Sequence, residues 1–231
     1  MKTIGLLHGM SSVATVDFYR RINDRVNELL GGHESAELLL SSVNFAVVDR
    51  CVQAEAWDDL GGYLAAKARA LETSGADFLA IGSNTGHVVA SAIEASTRLP
   101  LLHIADAVAD AAGRLGAQRL GLLGTRPVME GRYYHDRLGS HGFEVIAPGV
   151  ADREFVHRLI FEELTRGQFT QESRAAFTDI IGKLDAAGAE AVVLGCTEFG
   201  LLVKQSDVPE TPLLDTTGLY IEAIVKEALA A

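Results

Sequence analysis

The sequence predicts an α/β protein made of two similar parallel-sheet halves, and three observations carry that expectation. Short apolar runs alternate with longer amphipathic stretches along all 231 residues, the pattern of βα units around parallel strands. The runs ELLLSSV and AVVLG are apolar almost throughout, as strands covered on both faces are. The order of motifs also repeats. TIGLLHGM at 3–10 resembles RLGLLGTR at 119–126, GADFLAIGSNTGHVV at 75–89 resembles GAEAVVLGCTEFGLL at 188–202, and LPLLHIADA at 99–107 resembles TPLLDTTGL at 211–219. The matched pairs Gly5 and Gly121, Ser83 and Cys196, and Pro100 and Pro212 lie 112 to 116 positions apart, which reads as two copies of a half-length unit.

In chain order, strands are predicted at 3–7, 37–43, 78–81 and 101–103, then at 119–123, 143–146, 191–194 and 213–214. The first helix begins near Ala14 and stops at Gly31-Gly32, residues that accept a left-handed cap. After the fifth strand, Thr125 or Arg126 precedes Pro127, a first-turn proline. Thr170 suits the N-cap of a helix running to Gly188. The domains expected are 1–102 closed by 215–231, carrying Ser83, and 103–214, carrying Cys196. Two like halves imply a cleft into which the carboxyl ends of both sets of strands open, and such ends are where open α/β sheets bind ligands.

Composition narrows the function. A formal charge of −11 leaves no cationic face for a phosphate backbone, so no nucleic-acid partner is expected. The two cysteines, Cys51 and Cys196, form no disulfide framework and fit a reducing compartment. MKTIGLLHGM has no signal-peptide cleavage region, and no apolar run is long enough for a membrane span, so a cytoplasmic protein is expected. His33, His103, His135, His141 and His157 show no metal-ligand spacing, and neither glycine-rich turn has dinucleotide or P-loop spacing; no metal and no nucleotide are expected.

The twin stretches carry the chemistry. Cys196 follows an apolar strand and a glycine and precedes a helix start, where backbone N–H groups and the helix dipole favour a thiolate, and the polar Thr197 and Glu198 stand beside it. Cys51, in VDRCVQAEAW, reads as a packing residue. Two acid/base groups on opposite sides of a cleft suit removal of a proton from one face of a carbon and its return on the other. The carbon next to a carboxylate is a very weak acid, so donors must stabilise an enediolate-like state, and Asn84, Thr85 and Thr197 are placed to do so. His87, four residues past Ser83, either polarises the Ser83 hydroxyl or packs at the helix start. Glu198 accepts a substrate ammonium, orients His87, or answers the helix dipole.

Over its whole length the chain resembles the cofactor-independent aspartate/glutamate racemases, in MKTIGLLHGMSSVATVDFYRRI, SNTGH, LHIADA, LLGTRPVME, FEELTRGQFTQESR and LGCTEFGLLV. The resemblance implies two four-stranded domains related by a pseudo-twofold axis, a homodimer, and a cysteine from each domain flanking the substrate Cα without pyridoxal phosphate or metal. It puts Cys196 in the place of the second cysteine, Asn84, Thr85 and Thr197 on the α-carboxylate, Met10 and Thr125 in the lining of the cleft, and Arg166 on a side-chain carboxylate. Three departures stand out. His8 replaces a usual glycine; Arg50 and Val52 occupy positions that read the substrate side chain; and Ser83 replaces the first cysteine. A serine hydroxyl is a weak acid and a poor base unless a neighbour takes its proton. Some broad-specificity relatives have threonine there, so the resemblance implies a racemase of acidic amino acids, aspartate or glutamate, with unequal faces, Cys196 as the thiolate base and Ser83 as the opposite acid/base, its ligand a small amino acid or dicarboxylate. The alternatives are an arylmalonate-decarboxylase-like lyase with one working cysteine, and a non-catalytic binder of an acidic metabolite.

Overall fold

The computed structural model describes residues 1–230. The chain separates into two compact units, one of Met1–His103 with the segment from Tyr220 onward, the other of Ile104–Leu219. The first unit runs β1 (Ile4–His8), α1 (Ser12–Leu30), β2 (Leu38–Ser42), α2 (Phe45–Gln53), α3 (Trp57–Thr73), β3 (Phe78–Ile81), a short 3-10 helix (Thr85–Val89), α4 (Ala90–Glu94) and β4 (Leu101–Leu102). The second runs α5 (Ile104–Leu115), β5 (Arg119–Gly124), α6 (Arg126–Glu130), α7 (Arg132–Ser140), β6 (Glu144–Ile146), α8 (Val150–Glu162), α9 (Gln171–Ala186), β7 (Ala191–Gly195), α10 (Phe199–Leu202) and β8 (Leu213–Asp215). A last helix, α11 (Thr216–Leu229), belongs to the first unit from Tyr220 on.

Each unit holds one parallel four-stranded sheet, ordered β2-β1-β3-β4 in the first and β6-β5-β7-β8 in the second. All eight strands lie at their expected places. β1, β5, β7 and β8 each run one residue further than expected, and these extra residues, His8, Gly124, Gly195 and Asp215, stand at the carboxyl edge. Local signals account for the helix ends. Ser11 caps α1 by accepting from the Ala14 N–H at 3.3 Å, and Gly31 and Gly32 end it at φ of 77° and 62°. Thr125 stands at the N-cap position of α6 ahead of Pro127 without a side-chain capping bond, and Thr170 caps α9 by accepting from the Ser173 N–H at 3.0 Å.

Alternation along the strands sets what each sheet face meets. Leu7, Leu79 and Ile81 pack with Val48, Leu60 and Leu64 from α2 and α3. His8, on the other face of β1, meets Phe18 of α1 edge to face, with ring centroids 5.1 Å apart. Burying a side chain such as Phe18 removes enough apolar surface to contribute about 2 to 3 kcal/mol. The Tyr220 hydroxyl ties α11 to the sheet, donating to the Leu102 carbonyl at 2.5 Å and accepting from the Ile81 N–H at 3.2 Å. In the second unit, Leu123, Val192 and Leu194 pack with residues of α8 and α9, and Phe177 stacks against Phe199 at 4.5 Å. That stacking anchors the turn that follows β7. Among the described residues, no helix is long and apolar enough to cross a membrane.

Candidate active site

Ser83 sits in the turn that ends β3. The chain bends there because the Gly82 N–H donates to the Leu7 carbonyl and the Ser83 N–H to the Ile81 carbonyl, each at 2.8 Å. The Ser83 hydroxyl oxygen accepts from the Gly86 N–H at 3.1 Å, a local bond of the kind short side-chain oxygens make at helix starts. Ser83, Asn84 and His87 are buried and Thr85 is half-buried. Of the two roles expected of His87, packing at the helix start is the one its Nδ1 serves. That nitrogen donates to the Ser83 backbone carbonyl at 2.8 Å, because one helical turn brings residue 87 over the carbonyl of residue 83. Met10 packs here too; its methyl carbon lies 3.6 Å from where a Cβ on Gly86 would stand.

Beside this turn stands His8, fully buried at the end of β1. Leu7 pairs with Ile81, so one step on His8 is level with Gly82. A Cβ on Gly82 would lie 1.9 Å from His8 Cδ2 and 2.4 Å from Nε2, so residue 82 is glycine because the imidazole lies against it. The Gly9 N–H points at His8 Nδ1 at 2.9 Å and at Thr15 Oγ1 at 3.0 Å, while the Thr15 hydroxyl gives its proton to the Ser11 carbonyl at 2.5 Å. Thr15 Oγ1 also lies 2.9 Å from Nδ1, so the polar contacts of the ring are made at Nδ1 and not at Nε2. That Nε2 is buried without a partner. In the second unit the matching positions are Gly124 and Gly195, paired across β5 and β7.

Burial lowers the His8 pKa to about 3, so the ring is neutral at working pH. The unfolded chain, with an ordinary value of 6.5, binds a proton that the folded chain refuses. The group's contribution is therefore complete above pH 6.5 and is lost as pH falls from 6.5 towards 3. At pH 5 the loss is about 2 kcal/mol. Urea unfolding of the wild type and of His8→Asn at pH 7.5 and pH 5 is expected to show this loss only in the wild type, and an equal loss in both would contradict it.

Cys196 occupies the corresponding turn after β7 and is buried. Its thiol donates to Glu198 Oε2 at 3.2 Å, and the Thr197 hydroxyl donates to the same oxygen at 2.8 Å. Burial pushes the thiol pKa well up, with the negative Glu198 adding to the rise; the N–H groups of Glu198 and Thr197 oppose it without prevailing. The expected resting thiolate is thus corrected to a thiol. The helix that was to stabilise it, α10, has only four residues, and burial outweighs so short a dipole. Glu198, two residues after Cys196, is buried and is the thiol's acceptor, a role the sequence did not suggest.

The other expected residues are spread more widely. Thr125 is buried at the start of α6. Arg166 is exposed, ending a 3-10 turn (Leu164–Arg166) ahead of the left-handed Gly167. Val52 packs in the core of the first unit while Arg50 is exposed on α2, and Cys51 packs half-buried beside them. Among the described residues, no group of three or more His, Cys, Asp or Glu side chains is arranged to hold a metal ion.

A parallel four-stranded α/β unit is used twice, with Ser83 in the turn after β3 of the first and Cys196 in the turn after β7 of the second. Residues 7–224 match the Asp/Glu/Hydantoin racemase family, and the chain belongs to that family. It is 24% identical over 231 residues to the broad specificity amino-acid racemase RacX of Bacillus subtilis (strain 168), covering 98% of each chain. A crystal structure of an Asp/Glu racemase candidate from Yersinia pestis is 42% identical, with a TM-score of 0.91 and 100% of both chains covered. An aspartate racemase homologue from Pyrococcus horikoshii OT3 is 30% identical, with a TM-score of 0.85 and the same coverage. The family's racemases are isomerases of small amino-acid substrates.

Proposed function

We propose that the protein racemises an acidic amino acid, aspartate or glutamate, without a cofactor, with Cys196 acting on one face of the substrate Cα and Ser83 on the other. One observation carries the reading: the Cys196 thiol has its own proton acceptor, Glu198, at 3.2 Å. The Sγ proton passes to Glu198 Oε2, leaving a thiolate held by the N–H groups of residues 197 and 198. A thiol that is hard to ionise yields a strongly basic thiolate, which suits a carbon acid as weak as an amino acid. The thiolate takes the Cα proton; the electron pair moves into the carboxylate as an enediolate; Ser83 gives its hydroxyl proton to the opposite face, and the cycle closes when the proton held by Glu198 is released to solvent and the Ser83 oxygen regains one from solvent. In the reverse direction each group plays the other part.

Asn84, Thr85 and Thr197, at the ends of β3 and β7, hold the α-carboxylate in this scheme. Met10 and Thr125 line the site, and Arg166 meets the side-chain carboxylate. His87 fixes the turn of Ser83 through the carbonyl bond. The protein works in the cytoplasm as a homodimer; Val16 and Tyr19, exposed one turn apart on α1, supply an apolar patch for a second protomer.

Ser83 is the weaker proton-transfer group because a hydroxyl ionises far less readily than a thiol. Chiral chromatography of L- and D-aspartate and of L- and D-glutamate incubated with enzyme is expected to show unequal forward and reverse rates. Ser83→Cys is expected to keep or raise the slower of the two, and a fall in both directions would contradict the assignment of Ser83. The single thiol also favours a second reading, a one-face reaction in which loss of carbon dioxide forms the enediolate and Cys196 protonates it. Carbon dioxide release from substituted malonates, without racemisation, distinguishes it.

A further inference from the structure

The second unit fastens its turn after the central strand differently from the first. The motif repeat aligns Thr216 and Thr217 of α11 with Ile104 and Ala105 of α5, and Leu194 with Ile81. The pairing of β7 with β8 runs on to Leu194 and Asp215, whereas that of β3 with β4 stops at Ala80 and Leu102. The Leu194 carbonyl accepts from the Thr216 hydroxyl at 2.8 Å, and the Thr197 carbonyl accepts from the Thr217 hydroxyl at 3.4 Å. The matching Ile81 carbonyl accepts instead from the Ser83 N–H inside its own turn, at 2.8 Å. Both threonines are shut off from solvent, at 0% and 1% exposure, and so are Ile104 and Ala105, which carry no hydroxyl. Packing alone therefore does not call for threonine. A buried hydroxyl is costly unless it is bonded, and the two carbonyls are what these hydroxyls bond.

These bonds bracket Cys196. One fixes the carbonyl two residues before it, the other the carbonyl of the residue after it. Thr197 is thereby held at both ends, because its hydroxyl donates to Glu198 Oε2, the same oxygen that accepts from the thiol. Behind them, Asp215 accepts from the N–H groups of Thr217 and Gly218 at 3.1 and 3.2 Å, which sets the first turn of α11. We infer that Thr216 and Thr217 are positioning residues for proton transfer: through the Leu194 and Thr197 carbonyls they hold the turn in which the Cys196 thiol meets Glu198. They act through the backbone and not on the substrate. Transfer from sulfur to carboxylate depends on a close, aligned contact, so a small displacement of the turn slows it. The inference rests on the racemase reading only for the reaction this pair serves; the hold on the thiol is measured without substrate.

Thr216→Val and Thr217→Val keep the shape and remove the hydroxyl, while Thr216→Ser and Thr217→Ser keep the hydroxyl. Urea unfolding shows which variants are folded, chiral chromatography gives kcat and KM, and peptide-resolved alkylation across pH gives the midpoint for Cys196. Each valine variant is expected to lose about ten-fold in kcat with KM little changed. Each is also expected to alkylate at lower pH, because Glu198 no longer stands where it raises the thiol pKa. The serine variants are expected to recover both values. A role in stability alone would lower the urea midpoint and leave the alkylation midpoint in place. Should a valine variant not fold, alanine at the same position gives the same reading. Folded variants without the hydroxyl that keep the wild-type alkylation midpoint, or serine variants that behave like the valine ones, overturn this inference and leave the racemase reading standing. A wild type that turns over no amino acid, while the midpoint still falls in the valine variants, upholds the positioning of Cys196 and overturns the racemase reading.

Discussion

Replacing Cys196 with alanine is expected to lower racemisation of both enantiomers by about a thousand-fold or more, because in one direction the variant lacks its base and in the other its acid. The loss is symmetric for a thermodynamic reason. The same transition states are crossed in both directions, so removing either proton-transfer group impairs both. The fold survives the change, since Cys196 is one member of a large cluster that includes Phe177, Val192, Leu194 and Phe199, and the sulfur is a small part of that buried volume. Urea unfolding establishes that the variant is folded, and chiral chromatography reads the rate. A folded variant with full turnover would remove the thiol from the mechanism.

Glu198→Gln is expected to act in two opposed ways. The carboxylate raises the Cys196 pKa, so neutralising it moves the midpoint of Cys196 alkylation to lower pH. The same change removes the atom that takes the thiol proton, so turnover falls by about a hundred-fold although the thiolate forms more readily in the free enzyme. Peptide-resolved alkylation across pH separates Cys196 from the half-buried Cys51. If the midpoint rises, or if turnover is unchanged, Glu198 is not the acceptor. The pair of readouts matters, because a merely structural carboxylate would lower activity without lowering the alkylation midpoint.

The eight strands were legible in the sequence because parallel strands buried on both faces leave unbroken apolar runs, and the repeat supplied each half with a check on the other. The caps at Ser11 and Thr170 rest on short-range chemistry, and Thr170 was readable for that reason. The protonation state of Cys196 was not legible. The sequence shows a helix following the cysteine, whereas its four-residue length and the depth of burial are tertiary facts that reverse the direction of the pKa shift. Glu198 was read as a helix-start acid, and only the 3.2 Å contact assigns it to the sulfur. His8 stood out as a departure from a glycine. Its surroundings depend on Gly82 just past the neighbouring strand, 74 positions along the chain, and on Thr15 in α1, neither of which local pattern connects to it.

The central claim is that this chain moves a proton on and off an amino-acid Cα. Incubating the wild-type enzyme with each enantiomer of aspartate and glutamate in deuterium oxide tests it most directly. For at least one of the two amino acids, deuterium is expected at Cα, with the product enantiomer fully labelled and the two starting enantiomers exchanging at unequal rates. No deuterium at Cα from any of the four would contradict the account.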